Sequence, residues 1–157
     1  MKFKITSVFA AALIANAATL ARAEEGGCSV ARVAGNWSFS DSGTVFLTAG
    51  LPVPRVAAGR FTLDHAGNLL KGVATSSLNG TIAAEAFSGT YTVNSDCTGT
   101  LNIQVSDPTT GAELLVATLA TDFDDDMKHL HAIFTSLVVP PPIGALQSAI
   151  VADARKQ

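Results

Sequence analysis

Large apolar and small polar residues alternate with a period of two along most of the chain beyond Gly27, the spacing of a strand with one buried face. The longest such stretch runs from Gly80 to Val105. Before its turn, Glu85, Phe87, Gly89, Tyr91 and Val93 fall on one face and Ala84, Ala86, Ser88, Thr90 and Thr92 on the other. After the turn at Asn94 to Cys97, Leu101, Ile103 and Val105 alternate with Thr100, Asn102 and Gln104. This pattern predicts two strands joined by a tight hairpin turn. Upstream, Trp37 and Phe39 share a face within Val33 to Leu47, and Phe61 and Leu63 share one opposite Arg60, Thr62 and Asp64. Thr48 to Arg55 reads as a loop, because Pro52 and Pro54 lack the N–H that a ladder needs. His65 to Asn68 makes the next turn, with Gly67 or Asn68 supplying a positive φ, Leu69 to Leu78 returns, and Asn79-Gly80 is a hairpin signal.

Downstream, Asp107 to Gly111 is a turn, and Leu114 to Asp122 and Met127 to Leu137 pair through Phe123 to Asp126. The prolines between Val138 and Gly144 do not continue a ladder, and Ala145 to Ala154 suits a short helix or a closing strand equally. Helical periodicity is otherwise nearly absent. The expected fold is an all-β, antiparallel up-and-down barrel of about seven or eight strands, with a two-sheet sandwich as the alternative.

Residues 1 to 23 carry a different pattern: Lys2 and Lys4, an apolar run from Val8 to Leu20, and Ala21-Arg22-Ala23. That is the build of a cleaved secretory signal, leaving one domain from Glu24 to Gln157 and a secreted or periplasmic location. The run is short of a bilayer span, so no stable membrane insertion is expected after cleavage. Without Lys2, Lys4 and Arg22 the chain keeps 7 basic and 13 acidic residues, a net charge of −6. This balance disfavours nucleic acid. Cys28 and Cys97, an even pair in an exported chain, read as one disulfide tying the mature N-terminus to the hairpin turn.

Ala58 to Asn68, Gly80-Thr-Ile82, the run Phe87-Ser-Gly-Thr-Tyr-Thr-Val-Asn-Ser-Asp-Cys-Thr-Gly-Thr100 and the terminal Ala152 to Gln157 together resemble a family of exported bacterial β-rich proteins. The resemblance spans most of the mature chain and implies fold and export. That family has no established activity, so the resemblance brings no catalytic residues. Gly35-Asn36-Trp37 resembles the G-x-W that opens lipocalin barrels, and a weaker likeness extends to calycin and allene oxide cyclase-like barrels.

Three groups of residues carry candidate chemistry. Glu85 shares the inward parity of Phe87 and Tyr91, so a lumenal carboxylate could act as a general acid or base, with Tyr91 or Arg60 moving protons. The bland counterpart is a hydrated Glu85 at the barrel mouth. His129 and His131 fall on one strand face after an acidic turn, so both imidazoles could meet a metal with Asp122; the alternative is a solvated acidic turn beside exposed histidines. A calcium ion on the aspartates alone lacks the D-x-D-x-D-G loop. Trp37, Phe39, Phe61, Phe87 and Tyr91 are the candidate ligand-lining aromatics. No cofactor signature appears, and no G-x-S-x-G elbow points to acyl transfer.

The leading reading is therefore a secreted barrel that binds a small apolar molecule in its lumen. A barrel cyclase or isomerase built on Glu85 is its rival, and a surface-interaction protein without a pocket is the third possibility. The oligomeric state is not legible in this pattern.

Overall fold

The computed structural model describes residues 27–47 and 50–157; the predicted signal segment lies outside the described residues. One turn of helix, α1 (Val30–Val33), precedes eight strands. These are β1 (Gly35–Phe46), β2 (Pro52–Leu63), β3 (Asn68–Leu78), β4 (Thr81–Val93), β5 (Thr98–Ser106), β6 (Glu113–Phe123), β7 (His129–Val139) and β8 (Gly144–Lys156). Each pairs antiparallel with the next, and β8 returns to β1 from Trp37↔Lys156 to Phe46↔Gln147, closing the barrel. The barrel expectation holds and the sandwich alternative does not. Ala145 to Ala154, which suited helix or strand, lies within the closing strand. Closure removes both sheet edges, so every strand finds a partner on each side.

Pro52 and Pro54 are the clearest departure from the sequence reading. They belong to β2, where Phe46 pairs with Pro52 and Thr44 with Pro54. β3 begins to pair with β2 only at Arg55↔Leu78, and the Pro54 carbonyl accepts the Asn79 N–H at 2.9 Å. The main-chain groups of Pro54, and of Pro52 two residues earlier, therefore point to the side where β3 has already ended. Their missing N–H costs no ladder bond. Extending β2 by four residues brings Arg55 into the inward parity of Ala57, Phe61 and Leu63. Val138 and Val139, read as beyond the ladder, likewise belong to β7.

The hairpin turns follow their residues. Asn79 and Gly80 both take positive φ, 50° and 86°, as a type I′ turn requires. At the β2–β3 turn Gly67 carries the positive φ, and Asp64 Oδ1 accepts the N–H groups of Ala66 and Asn68. A bulge near Lys71 (φ 49°) shifts the inward parity of β3, so that Leu69 and then Gly72, Ala74 and Ser76 face the interior.

The end of the barrel nearest α1 is sealed. Val33 and Trp37 are fully buried, Trp37 stacks at 6.3 Å on Phe61, and Leu69, Phe123 and Met127 complete the floor. Trp37 Nε1 donates to the Val33 carbonyl at 2.9 Å. Cys28 and Cys97 are joined as the sequence predicted, with Cα atoms 5.0 Å apart, which pins the segment before α1 to the β4–β5 turn. Lys156 Nζ donates to the Arg32 carbonyl, holding the other side of the plug.

Candidate functional site

The interior changes character above this floor. Phe39, Phe61 and Phe87 form an aromatic wall with ring centroids 5.6 to 6.3 Å apart. The Phe87 ring lies directly over Gly72, where an added Cβ would stand 2.2 Å from the ring, so only glycine leaves room for it. Leu101, Val105, Leu119, Leu130 and Phe134 face them across the lumen. Between these walls lies a cavity of about 50 Å³, bounded on one side by Asp41, Arg55 and Glu85.

These three charged residues come from three strands. Asp41 sits on β1 in the parity of Trp37 and Phe39, Arg55 on the start of β2, and Glu85 on β4, and all three are buried. Arg55 Nη1 donates to Glu85 Oε1 at 3.0 Å and Nη2 to Oε2 at 3.1 Å, a bidentate pair. Ser76 Oγ, from β3, donates to Oε1 at 2.7 Å. Asp41 Oδ2 stands 3.5 Å from Arg55 Nη2. Two atoms of the cluster, Asp41 Oδ1 and Arg55 Nε, are buried without a partner.

Burial pushes the Asp41 carboxyl above the usual aspartate range; the Glu85 charge adds to this, while the Arg55 charge and hydrogen bond and the main-chain N–H of Ala57 oppose it. Burial also works against the Arg55 cation, but the hydrogen bond to Glu85 and the two facing carboxylates outweigh it and carry its pKa above the ordinary arginine value. The lumen thus holds a fixed cation, a carboxylate committed to it, and a second carboxyl with a free oxygen.

The sequence candidates distribute unevenly over this site. Glu85 points inward, as its parity predicts, but Arg55 and Ser76 occupy its oxygens, so it is not a lone base in an apolar lumen. Arg60 is exposed on the outer face of β2, and the lumenal arginine is Arg55. Tyr91 belongs to the sealed floor rather than to the cavity. Its hydroxyl donates to the Asp64 carbonyl and lies 3.1 Å from the Val30 carbonyl. Burial, with the Asp64 charge, pushes it up to about 12, which unsuits it to proton transfer near neutral pH. Of the five aromatics, Phe39, Phe61 and Phe87 line the cavity, whereas Trp37 lies beneath Phe61.

Asp41, Arg55 and Ser76 were not singled out by the sequence. Asp41 was legible from parity alone, being two residues beyond Phe39 on the same face. Arg55 was hidden by the prolines before it, and Ser76 by the bulge that shifts the parity of β3.

His129 and His131 lie on the outer face, on the same side of β7, with ring centroids 4.3 Å apart. Asp122 is paired in register with His131, but the carboxylates that reach the rings are those of Asp124 and Asp153. Asp124 Oδ2 is 3.2 Å from His129 Nδ1, and Asp153 Oδ2 is 2.8 Å from His129 Nε2 and 3.3 Å from His131 Nδ1.

A solved barrel shares the architecture. The structure of EF1p2_mFAP2b bound to DFHBI is similar with a TM-score of 0.53 at 13% identity, over 80% of this chain and 94% of that chain. At this identity the likeness is one of fold. No protein-family model and no curated protein matches the chain.

Proposed function

We propose that the protein is an exported barrel that binds a small, mainly apolar molecule in its lumen, with one polar group of that molecule meeting Asp41 and Arg55. The observation that carries this reading is the conjunction of an apolar cavity with two buried, unpartnered polar atoms among the residues that line it. Buried polar groups are ordinarily satisfied, and leaving one unmade costs about 1–3 kcal/mol. A ligand hydroxyl or carbonyl would recover that cost, and the aromatic wall would hold its apolar part. A void of about 50 Å³ is roughly a third of the ~150 Å³ cavity that holds benzene. The lumenal part of the ligand is therefore a few heavy atoms.

EF1p2_mFAP2b, whose barrel is similar, has been solved bound to DFHBI, which supports the use of such a barrel for a small molecule. Export is supported by the pattern of residues 1 to 23 and by the Cys28–Cys97 disulfide. No helix among the described residues is long and apolar enough to cross a membrane.

Native mass spectrometry of the chain purified from its source, beside xenon binding followed by NMR, tests this. A retained small molecule, or a xenon shift at Phe39 and Phe87, is expected in the wild type and is lost in Ala132→Leu, which fills the cavity from β7. A bare protein that also takes up no xenon would overturn the reading, as would uptake unchanged in the filled variant.

A further inference from the structure

The outer-face cluster at the start of β7 makes three nitrogen–oxygen contacts, one more than the ring protons of two neutral imidazoles can serve. Asp124 Oδ2 faces His129 Nδ1, and Asp153 Oδ2 faces both His129 Nε2 and His131 Nδ1, at 3.2, 2.8 and 3.3 Å. Two neutral imidazoles bring one proton each to these three contacts. At least one contact then sets a nitrogen lone pair against a carboxylate oxygen, and only a further proton or a cation can bridge it. With the protons on the two nitrogens that face Asp153, the open contact is His129 Nδ1 against Asp124 Oδ2.

We infer that this cluster is a binding site for a divalent transition ion of borderline softness, with zinc as its representative, held by His129, His131 and Asp124. Each of these three residues offers one ligand atom, and the three atoms all lie within 4.8 Å of one another. Two ligands about 2.0–2.1 Å from a tetrahedral ion stand about 3.3 Å apart, and the His129 Nδ1–Asp124 Oδ2 separation is 3.2 Å. Asp153 sits behind both rings in the position of a carboxylate that orients ligating imidazoles and fixes their tautomers. Nitrogen donors with one carboxylate and no thiolate suit zinc, copper or nickel over calcium or magnesium.

The fold holds these groups in place from three directions. His131 and Asp153 are register partners across β7 and β8, His129 is two residues from His131 on the same face, and Asp124 enters from the β6–β7 turn. That turn also carries Asp125 and Asp126, whose charge favours a cation, while Lys128 and Arg155 flank it. The site is outside the barrel and independent of the lumen. Three ligands and an exposed position leave the remaining coordination to water or to a partner's side chain.

Titration of the chelator-treated mature chain with zinc chloride, followed by calorimetry and by the histidine ring resonances, decides the matter. One equivalent of zinc is expected to bind, shifting His129 and His131 and leaving His65 unmoved. Calcium chloride should give no response. His129→Ala and His131→Ala should each weaken binding at least tenfold, Asp153→Asn about 10–100-fold as an orienting carboxylate, and Asp122→Asn hardly at all. All of these residues are on the outside, so circular dichroism should report an unchanged barrel. The assignment is overturned if the wild type takes up no zinc at millimolar concentration, if calcium binds equally well, or if the His129→Ala/His131→Ala double variant still binds one zinc as tightly.

Discussion

At the α1 end of the lumen, the Trp37 indole N–H and the Tyr91 hydroxyl are both buried and both end on main-chain carbonyls, of Val33 and Asp64. At the level of β2's first residues, the Arg55 Nε and the Asp41 Oδ1 are equally buried and end on nothing. Both regions are walled by aromatics, and both set polar atoms among apolar side chains. At the floor the polar atoms close the barrel, and each ends on a main-chain carbonyl. Thr121 Oγ1, beside Gly99, is the exception there among the described residues. Above it the charges are arranged around a void. Buried polar groups left open beside a cavity are costly for folding alone, and that cost is what the proposed ligand would offset.

The comparison is tested most severely by removing the cation. Arg55→Met leaves Glu85 buried without its counter-charge, and a loss of about 3–5 kcal/mol is expected in urea denaturation. The double variant Arg55→Met/Glu85→Leu should recover part of that loss, since it replaces the bidentate pair by apolar groups but leaves Asp41 without its counter-charge. A single variant as stable as the double would mean that the cluster is hydrated, and the contrast between the two regions would collapse. The floor has its own large term in the disulfide. With Cys28 and Cys97 at a sequence separation of 69, the chain-entropy account gives about 4 kcal/mol for the crosslink. Cys28→Ala/Cys97→Ala should lose stability on that scale by the same assay. A loss of only a few tenths would show that hydrogen bonds, not the staple, hold α1 in place.

The difference between the two regions also explains what could be read in the chain. The barrel, its hairpins and the disulfide were legible because period-two alternation, Asn79-Gly80 and a paired cysteine count are local signals. Glu85 was legible as a lumenal residue for the same reason. Its partner was not, because an X-Pro-X-Pro run reads as unpaired backbone unless the neighbouring strand is known to stop short. β3 stops short at Leu78, and that is a fact of register, not of composition. The acid-base reading of Glu85 pictured a lone carboxylate, whereas its oxygens are held by Arg55 and Ser76. In the histidine cluster the two rings were found by parity, whereas the sequence pointed to Asp122 and the carboxylates that reach the rings are those of Asp124 and Asp153. Asp153 is 24 residues from His129 and reaches it only because β8 lies beside β7.

A smaller effect distinguishes the floor's hydroxyl from a spectator. Tyr91→Phe removes the donor to the Asp64 carbonyl and should cost about 1–2 kcal/mol. Because burial raises the pKa of Tyr91 to about 12, its contribution is complete below the unfolded value near 10 and is lost as pH rises towards 12. Absorbance titration of this sole tyrosine should find its midpoint near 12, and the stability loss between pH 10 and 12 should be smaller in the Phe variant. A midpoint near 10 would mean that the floor is open to water.

The smallest effect is expected at Asp41, and it bears most directly on the proposed recognition. Burial raises the Asp41 pKa above 3.8, so the folded chain holds that proton more tightly than the unfolded chain does. Its contribution to stability is therefore present below pH 3.8 and is lost as pH rises through the folded value. Asp41→Asn does not titrate, so the stability of the variant relative to the wild type should climb over that window and then level off, within about 1 kcal/mol at neutral pH. Taking the difference between the two proteins matters, because Asp64, Asp96 and Asp107, held low by hydrogen bonds in their turns, give the whole molecule the opposite trend. If Asp41→Asn instead costs as much as Arg55→Met, Asp41 is a second obligatory counter-ion and its open oxygen is not spare. If stability is kept while the retained ligand is lost, the unpartnered Oδ1 is the group that the fold leaves for the ligand.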